Sequence, residues 1–278
     1  MDVVGMSNDS SVLAATLEGH EAEMWRTFAA AAARIPDNPL GAVSDDQHIV
    51  PLTAMTALNF AGFNRVIGLG TGNSPSPEDI DDILGFYAAH DQTRFTFELV
   101  PDTTPPDLVN QLHKRGFEDA EPTIVKSWRY LDDLPGRTDG VQVVMLDAHQ
   151  ADDWSRLHRA VRSAPRMLSP WFSAGFGAPG FHHLGVYDGQ ELVAGAAMFL
   201  TGDLMWCGFS ATLESHRSRG LQKAIAIERF YVARDRGCRI AHVENDPDTP
   251  AGPSVALANM RKIGFHFLYE KTRLLSPQ

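Results

Sequence analysis

Apolar residues recur at helical spacing early in the chain. Leu13, Leu17, Met24, Trp25 and Phe28 share one face, and the run Ala29 to Ala33 has high helix propensity. This predicts a helix from about Ser11 to Ile35, stopped by Pro36. Asn64 to Ile67 reads as a short strand, and a Gly-rich turn follows from Gly68 to Ser74. Ser76 suits an N-cap and Pro77 the first helical position. Glu78 and Asp79 load the first turn of a helix that runs to about His90. Arg94 to Val100 alternates as a strand does. Pro105 and Pro106 open a helix, Asp107 to Lys114, ended by Gly116. Ile124 to Tyr130 reads as another strand.

The second half begins with a strand, Val141 to Leu146. A helix follows from about Gln150 to Val161, with Trp154, Leu157 and Val161 on one face. Pro165 to Gly180 is a loop rich in glycine and aromatics, suited to covering a substrate or to plain connection. His183 to Tyr187 and Leu192 to Phe199 form a hairpin turning at Asp188-Gly189. Then come a strand from Trp206 to Ala211, a helix from Leu221 to Arg236, and a strand from Arg239 to Asn245. A helix from Ser254 to Ile263 and a strand from Phe265 to Leu274 close the chain. The order of the first half thus returns in the second. Each half has a helix closing in Gly-Phe, as Arg115-Gly116-Phe117 and as Ile263-Gly264-Phe265. Shared order with shared punctuation points to an internal duplication. The polar Pro/Gly stretch Asp132 to Gly140 is the natural boundary, giving domains 1–135 and 141–278.

The length of 278 residues fits two ordinary domains, and 44% hydrophobic with 21% charged residues is a globular composition. The net charge of −11 argues against general binding to nucleic acid and against an anionic membrane surface. It suits a cationic or amine substrate. Cys207 and Cys238 form no metal-binding spacing and no disulfide framework, so no metal and a reducing, cytoplasmic setting are expected. No run of about 18 apolar residues is long enough to span a bilayer. Met1 to Gly5 lacks the basic start of a signal peptide.

The chemistry concentrates in Met205 to Lys223, which reads as a short strand, a turn rich in Arg and Gly, and the first turn of a long helix. The first amides of a helix lack partners inside it and point outward, and the helix dipole adds positive charge there. An anion such as phosphate fits that end. Gly220 lets a ligand approach the backbone, and Arg217 and Arg219 can add charge-assisted bonds.

The run Arg217-Ser218-Arg219-Gly220-Leu221-Gln222 resembles the coenzyme A-binding motif, Gln/Arg-x-x-Gly-x-Gly/Ala, of the GNAT acyl-CoA N-acyltransferase superfamily. Gln222 departs from it, standing where the family has a small residue. The resemblance covers about 141–275 and extends over 40–135. It implies an α/β (α+β) fold: two tandem GNAT-like domains, each a mixed, mostly antiparallel sheet flanked by helices. Gly70 to Pro77 stands in the first half where Arg217 to Gln222 stands in the second. It has no Arg and two prolines, so the first copy reads as degenerate.

The implied activity is an acetyl-CoA-dependent N-acetyltransferase in which the amine of a small molecule attacks the thioester directly. Coenzyme A would lay its pyrophosphate on the amides near Arg219, Gly220, Leu221 and Gln222. Its pantetheine arm would run beside Ala211, Thr212 and Leu213. Asn259 is placed to touch that arm or face solvent, and His216 borders the phosphate loop. The family often has a tyrosine four residues before the glycine of Gly-Phe, protonating the leaving thiolate. Met260 stands there instead, and Tyr269 is the substitute expected. Glu244 is the first candidate base, with His242 on the same strand face; Asp203, His182 and His183 are others. Pairing of exposed sheet edges into a homodimer is open by the same analogy. Three other readings stay open. One is transfer of a different acyl group, and another is a non-catalytic acyl-CoA-binding or regulatory module. The third is a nucleotide site at Gly68 to Gly72, disfavoured because no Lys-Ser/Thr follows those glycines.

Overall fold

The computed structural model describes residues 8–103 and 105–277. The signal-peptide expectation for Met1 to Gly5 lies outside the described residues. The chain divides into two compact units that are not contiguous in sequence. Unit 1 holds residues up to Lys126 together with Asn245–Ser254 and Phe267–Gln278, and unit 2 holds Ser127–Glu244 and Val255–His266.

Unit 1 opens with α1 (Asn8–Ala33), then the two short strands β1 (Ala42–Asp45) and β2 (Leu52–Met55), paired antiparallel as a separate ribbon. Next come β3 (Arg65–Ile67), α2 (Pro77–Ala89), β4 (Thr96–Leu99), α3 (Leu108–Lys114) and β5 (Glu118–Asp119). The strand β6 (Ile124–Tyr130) carries the chain from unit 1 into unit 2. Ser76 caps α2 as its sequence implied, in a reciprocal capping box with Asp79. The ribbon strands were not expected, because four-residue segments carry too little alternation to be seen.

Unit 2 continues with β7 (Val144–Leu146), α4 (Ala151–Arg162) and the single-turn helix α5 (Ser169–Ser173). Three long strands follow: β8 (Phe181–Asp188), β9 (Glu191–Thr201) and β10 (Leu204–Thr212). Then come α6 (Leu221–Asp235), β11 (Ile240–Asn245) and α7 (Val255–Lys262). Strands β7, β8, β9 and β10 are antiparallel neighbours, while β10 and β11 pair in parallel. Ala194, Met198, Met205 and Cys207 of the sheet pack with Ile225 and Phe230 of α6 into one core.

The final strand, β12 (His266–Leu275), belongs almost wholly to unit 1, not to a domain 141–278. Thr272–Leu275 pairs antiparallel with Leu99–Thr96 of β4, which lies parallel to β3. Leu274 packs among Phe95, Phe97 and Phe117. The polar stretch Asp132 to Gly140 therefore does not mark the division. The last strand finds its apolar face and its ladder partner in the first half. The helices α3 and α7 end alike. Gly116 has φ 89° and Gly264 φ 87°, and Phe117 and Phe265 donate back to Leu112 and Met260 at 3.2 and 3.1 Å. This matched left-handed closure supports the duplication read from Gly-Phe.

Unit 1 encloses a charged cluster. Lys126 and Lys271 are both fully buried, and both reach Glu18, at 3.2 and 2.8 Å. Lys126 also pairs with Glu21. Tyr269 donates to Glu18 at 2.7 Å. Arg65 spans both oxygens of buried Glu98 at 3.1 Å. Removing one member of such a cluster strands the others in a dry site. Lys271→Met is expected to cost about 3–5 kcal/mol, read as a lower urea midpoint; an unchanged midpoint would refute the account of this core.

Candidate functional site

The site grows from β10. From Leu204 to Cys207 it pairs in parallel with Ile240 to Val243 of β11, and past Cys207 that pairing ends. On its other side its register with β9 slips between Gly208 and Ala211. Phe209, at φ 48°, marks the bulge; an aromatic residue in that region is a genuine outlier. The chain then makes a single 3-10 turn, Glu214–His216, and reaches α6 through Ser218 at φ 62° and Gly220 at φ 74°. A Cβ at Gly220 would meet open space, so the glycine answers the backbone angle and leaves the approach clear.

The N-terminus of α6 is bare. Gly220 is its N-cap residue, and no side chain accepts from the amides of Leu221, Gln222 or Lys223 among the described residues. The first turn holds no acid and instead holds Lys223, against the usual dipole preference. The counterpart α2 is the reverse. Ser76 accepts from the Asp79 amide at 3.1 Å, and Asp79 accepts from the Ser76 amide at 2.8 Å. The Ser76 bonds hold the Asp79 carboxyl below its usual pKa. In the turn before α2, Asn73 accepts from Gly70 at 2.8 Å and donates to Gly68 at 3.0 Å. That turn closes on itself, which removes the physical basis for a nucleotide site at Gly68 to Gly72.

A cavity of about 650 Å³ opens at the bare end of α6. Ala211 and Thr212 of β10 line it, with Arg217, Ser218, Gly220, Leu221 and Gln222. Asn259 and Met260 of α7 form another wall. Eight of the ten expected coenzyme residues thus converge, as Asn259 joins seven from the strand and loop. Two do not. Leu213 packs on the core and its amide donates to Val193 at 2.9 Å. Arg219 turns its side chain toward Asp188, at 3.9 Å. Asp188 also holds His216 at 3.0 Å, tying the loop between β10 and α6 to the hairpin turn.

Three cations line the cavity, Arg217, Lys223 and Lys262, and none makes an ion pair among the described residues. Among the described residues no Asp, Glu or Tyr lines it. The Thr212 hydroxyl is buried there without a hydrogen-bond partner. Lys223 and Lys262 were missed in the sequence. The signal for Lys223 was a helix start bearing a cation where acids are usual; for Lys262 there was none.

The expected catalytic residues are not brought to the cavity. Tyr269 is buried in unit 1, donating to Glu18, because β12 joins that unit. Glu244 sits half-buried on β11, after that strand has parted from β10, and does not line the cavity. His183 is buried and stacks on Phe176 with ring centres 3.8 Å apart. Burial, and then His182, pull its pKa down to about 3. Asp203 also lies off the cavity, its carbonyl accepting from Arg239 at 2.7 Å. Met260 lines the cavity where the resemblance implies an acid.

No protein-family model and no curated protein matches the sequence. Solved structures do match. A GCN5-related N-acetyltransferase from Kribbella flavida superposes with a TM-score of 0.64 at 17% identity, over 92% of this chain and 95% of that one. A functionally unknown conserved protein from Staphylococcus epidermidis gives 0.58 at 14% identity, over 85% and 94%. A tandem GNAT protein from the clavulanic acid biosynthesis pathway gives 0.55 at 15% identity, over 93% and 96%. The chain has the tandem GNAT fold. The cavity at α6 lies within unit 2, and the corresponding helix of unit 1 is closed by its own side chains. No helix of the described residues is long and apolar enough to cross a membrane.

Two measurements check this account. Gly220→Ala meets no atom but forces φ 74° on an alanine, so it should cost about 1–2 kcal/mol in thermal unfolding; no loss would contradict the loop geometry. The second concerns pH. Unfolded histidine gains a proton near 6.5, whereas folded His183 resists until about 3. The unfolded chain therefore binds more protons between those values. Stability should fall as pH drops from 6.5, by up to about 1.4 kcal/mol per pH unit for this residue. Urea titrations from pH 7 to pH 4 should show a shallower slope in His183→Phe than in the native chain.

Proposed function

We propose that this protein is an acetyl-CoA-dependent N-acetyltransferase acting on the amine of a small molecule by direct attack on the thioester. The observation that carries the reading is the bare N-terminus of α6, opening on a cavity with three unpaired cations in a chain of net charge −11. Arg217, Lys223 and Lys262 are exposed and concentrate positive potential at that end in an acidic chain, which fits a polyanionic ligand such as the coenzyme A diphosphate. Backbone freed by the parting of β10 and β11 suits the pantetheine arm, with the Thr212 hydroxyl able to bond it. With no carboxylate or tyrosine among the described residues lining the cavity, the amine attacks in its neutral form and water carries its proton away.

One observation favours a second reading, a non-catalytic acyl-CoA-binding module. Met260 cannot donate a proton to a leaving thiolate, and neither Tyr269 nor Glu244 lines the cavity. Calorimetry separates both readings from neither. Acetyl-CoA is expected to bind the native protein and to be lost in Gly220→Glu. Arg217→Ala should weaken binding about 10-fold or more, the worth of a charge-assisted bond. Equal affinity in Gly220→Glu would reject the site. Thiol release with an amine library then divides enzyme from binding module.

A further inference from the structure

One guanidinium beside this site has no counter-charge. Arg162 ends α4, directly after Val161, which lines the cavity. It donates to Nδ1 of His158, one turn back, at 2.7 Å. It donates again to the carbonyl of Ser210, in the β10 bulge, at 3.2 Å. Its carbon lies 5.8 Å from the centre of the Phe172 ring. His158 is fully buried, and burial followed by the charge of Arg162 holds it neutral, as an acceptor at Nδ1 must be.

These contacts fix the plane of the guanidinium, and none supplies negative charge. Among the described residues Arg162 makes no ion pair. Its Nε–H and one N–H on each terminal nitrogen have no protein acceptor. The helix dipole favours a cation in this last turn, but Arg159 in the same turn already answers that. Phe209, centred 6.3 Å from His158 and 6.5 Å from Trp171, gives the same neighbourhood an apolar side.

We propose that Arg162 anchors the acceptor: the amine acetylated here carries a carboxylate, held by this guanidinium beside the β10 bulge. The inference rests on the transferase reading above and names its substrate class, a small amino-carboxylate with an apolar body. A carboxylate matches the planar fork of an arginine, and the coenzyme phosphates already have the cations at α6. Anchoring at Ser210 would deliver the amine to the segment where β10 and β11 have separated.

The test is thiol release from acetyl-CoA with amino acids paired against their decarboxylated amines, on the native protein, Arg162→Gln and Arg162→Lys. Gln keeps a donor for the Ser210 carbonyl, and circular dichroism confirms that each variant folds. Carboxylate-bearing members should exceed their amines in kcat/KM by about 10- to 100-fold. Arg162→Gln should erase that preference through a higher acceptor KM, with the acetyl-CoA KM unchanged, and Arg162→Lys should restore part of it. Equal turnover of both members of each pair, no turnover of any carboxylate, or a preference that survives Arg162→Gln overturns the inference. Calorimetry with acetyl-CoA distinguishes the failures. Binding without carboxylate preference rejects the anchor alone, and absence of binding rejects the transferase reading with it.

Discussion

A strand cannot keep full ladders on both edges and also offer backbone to a ligand. Strand β10 resolves this by changing along its length. Up to Cys207 it is locked between β9 and β11, and beyond it β11 is gone and the β9 register slips. Backbone groups released from a ladder take other partners or water. Ser210 gives its carbonyl to Arg162, and Leu213 returns its amide to Val193. What remains faces a cavity. The loop, the left-handed Ser218 and Gly220, and the bare start of α6 all follow from where β10 is released.

Electrostatics acts on the same geometry. The chain is acidic overall, yet Arg217, Lys223 and Lys262 line one cavity without ion-pair partners among the described residues, while Asp188 holds His216 and draws Arg219 aside. The contrast with α2 is chemical rather than topological. A serine and an aspartate satisfy the amides of α2 internally, and the first turn of α6 offers a glycine and a lysine. Two helices in comparable places of a repeated fold thus begin in opposite states: one is finished by its own side chains, the other is left open.

Much of this was legible in the residues. Periodicity located α2, β6, α6 and α7 to within about two residues. Ser76-Pro77-Glu78-Asp79 announced a closed helix start, and Arg217 to Gln222 announced an open one. The repeated Gly-Phe closure announced duplication. Less was legible where the signal was short or non-local. The ribbon of β1 and β2 has four residues per strand, and α5 a single turn inside a glycine-rich loop. Glu244 and Tyr269 were reasonable by chemistry, but strand period places a side chain on a face and does not say which sheet position that face occupies.

The sequence by itself determined the local elements, their caps, and the polarity of the α6 terminus, because those depend on neighbours within one or two turns. Only the tertiary structure decided which unit receives β12, that Arg219 leaves the cavity while Lys262 enters it, and that Arg162 comes to rest on the β10 bulge. Those outcomes turn on contacts between residues tens of positions apart. Their energies come from burial and ladder pairing with partners that no local pattern names.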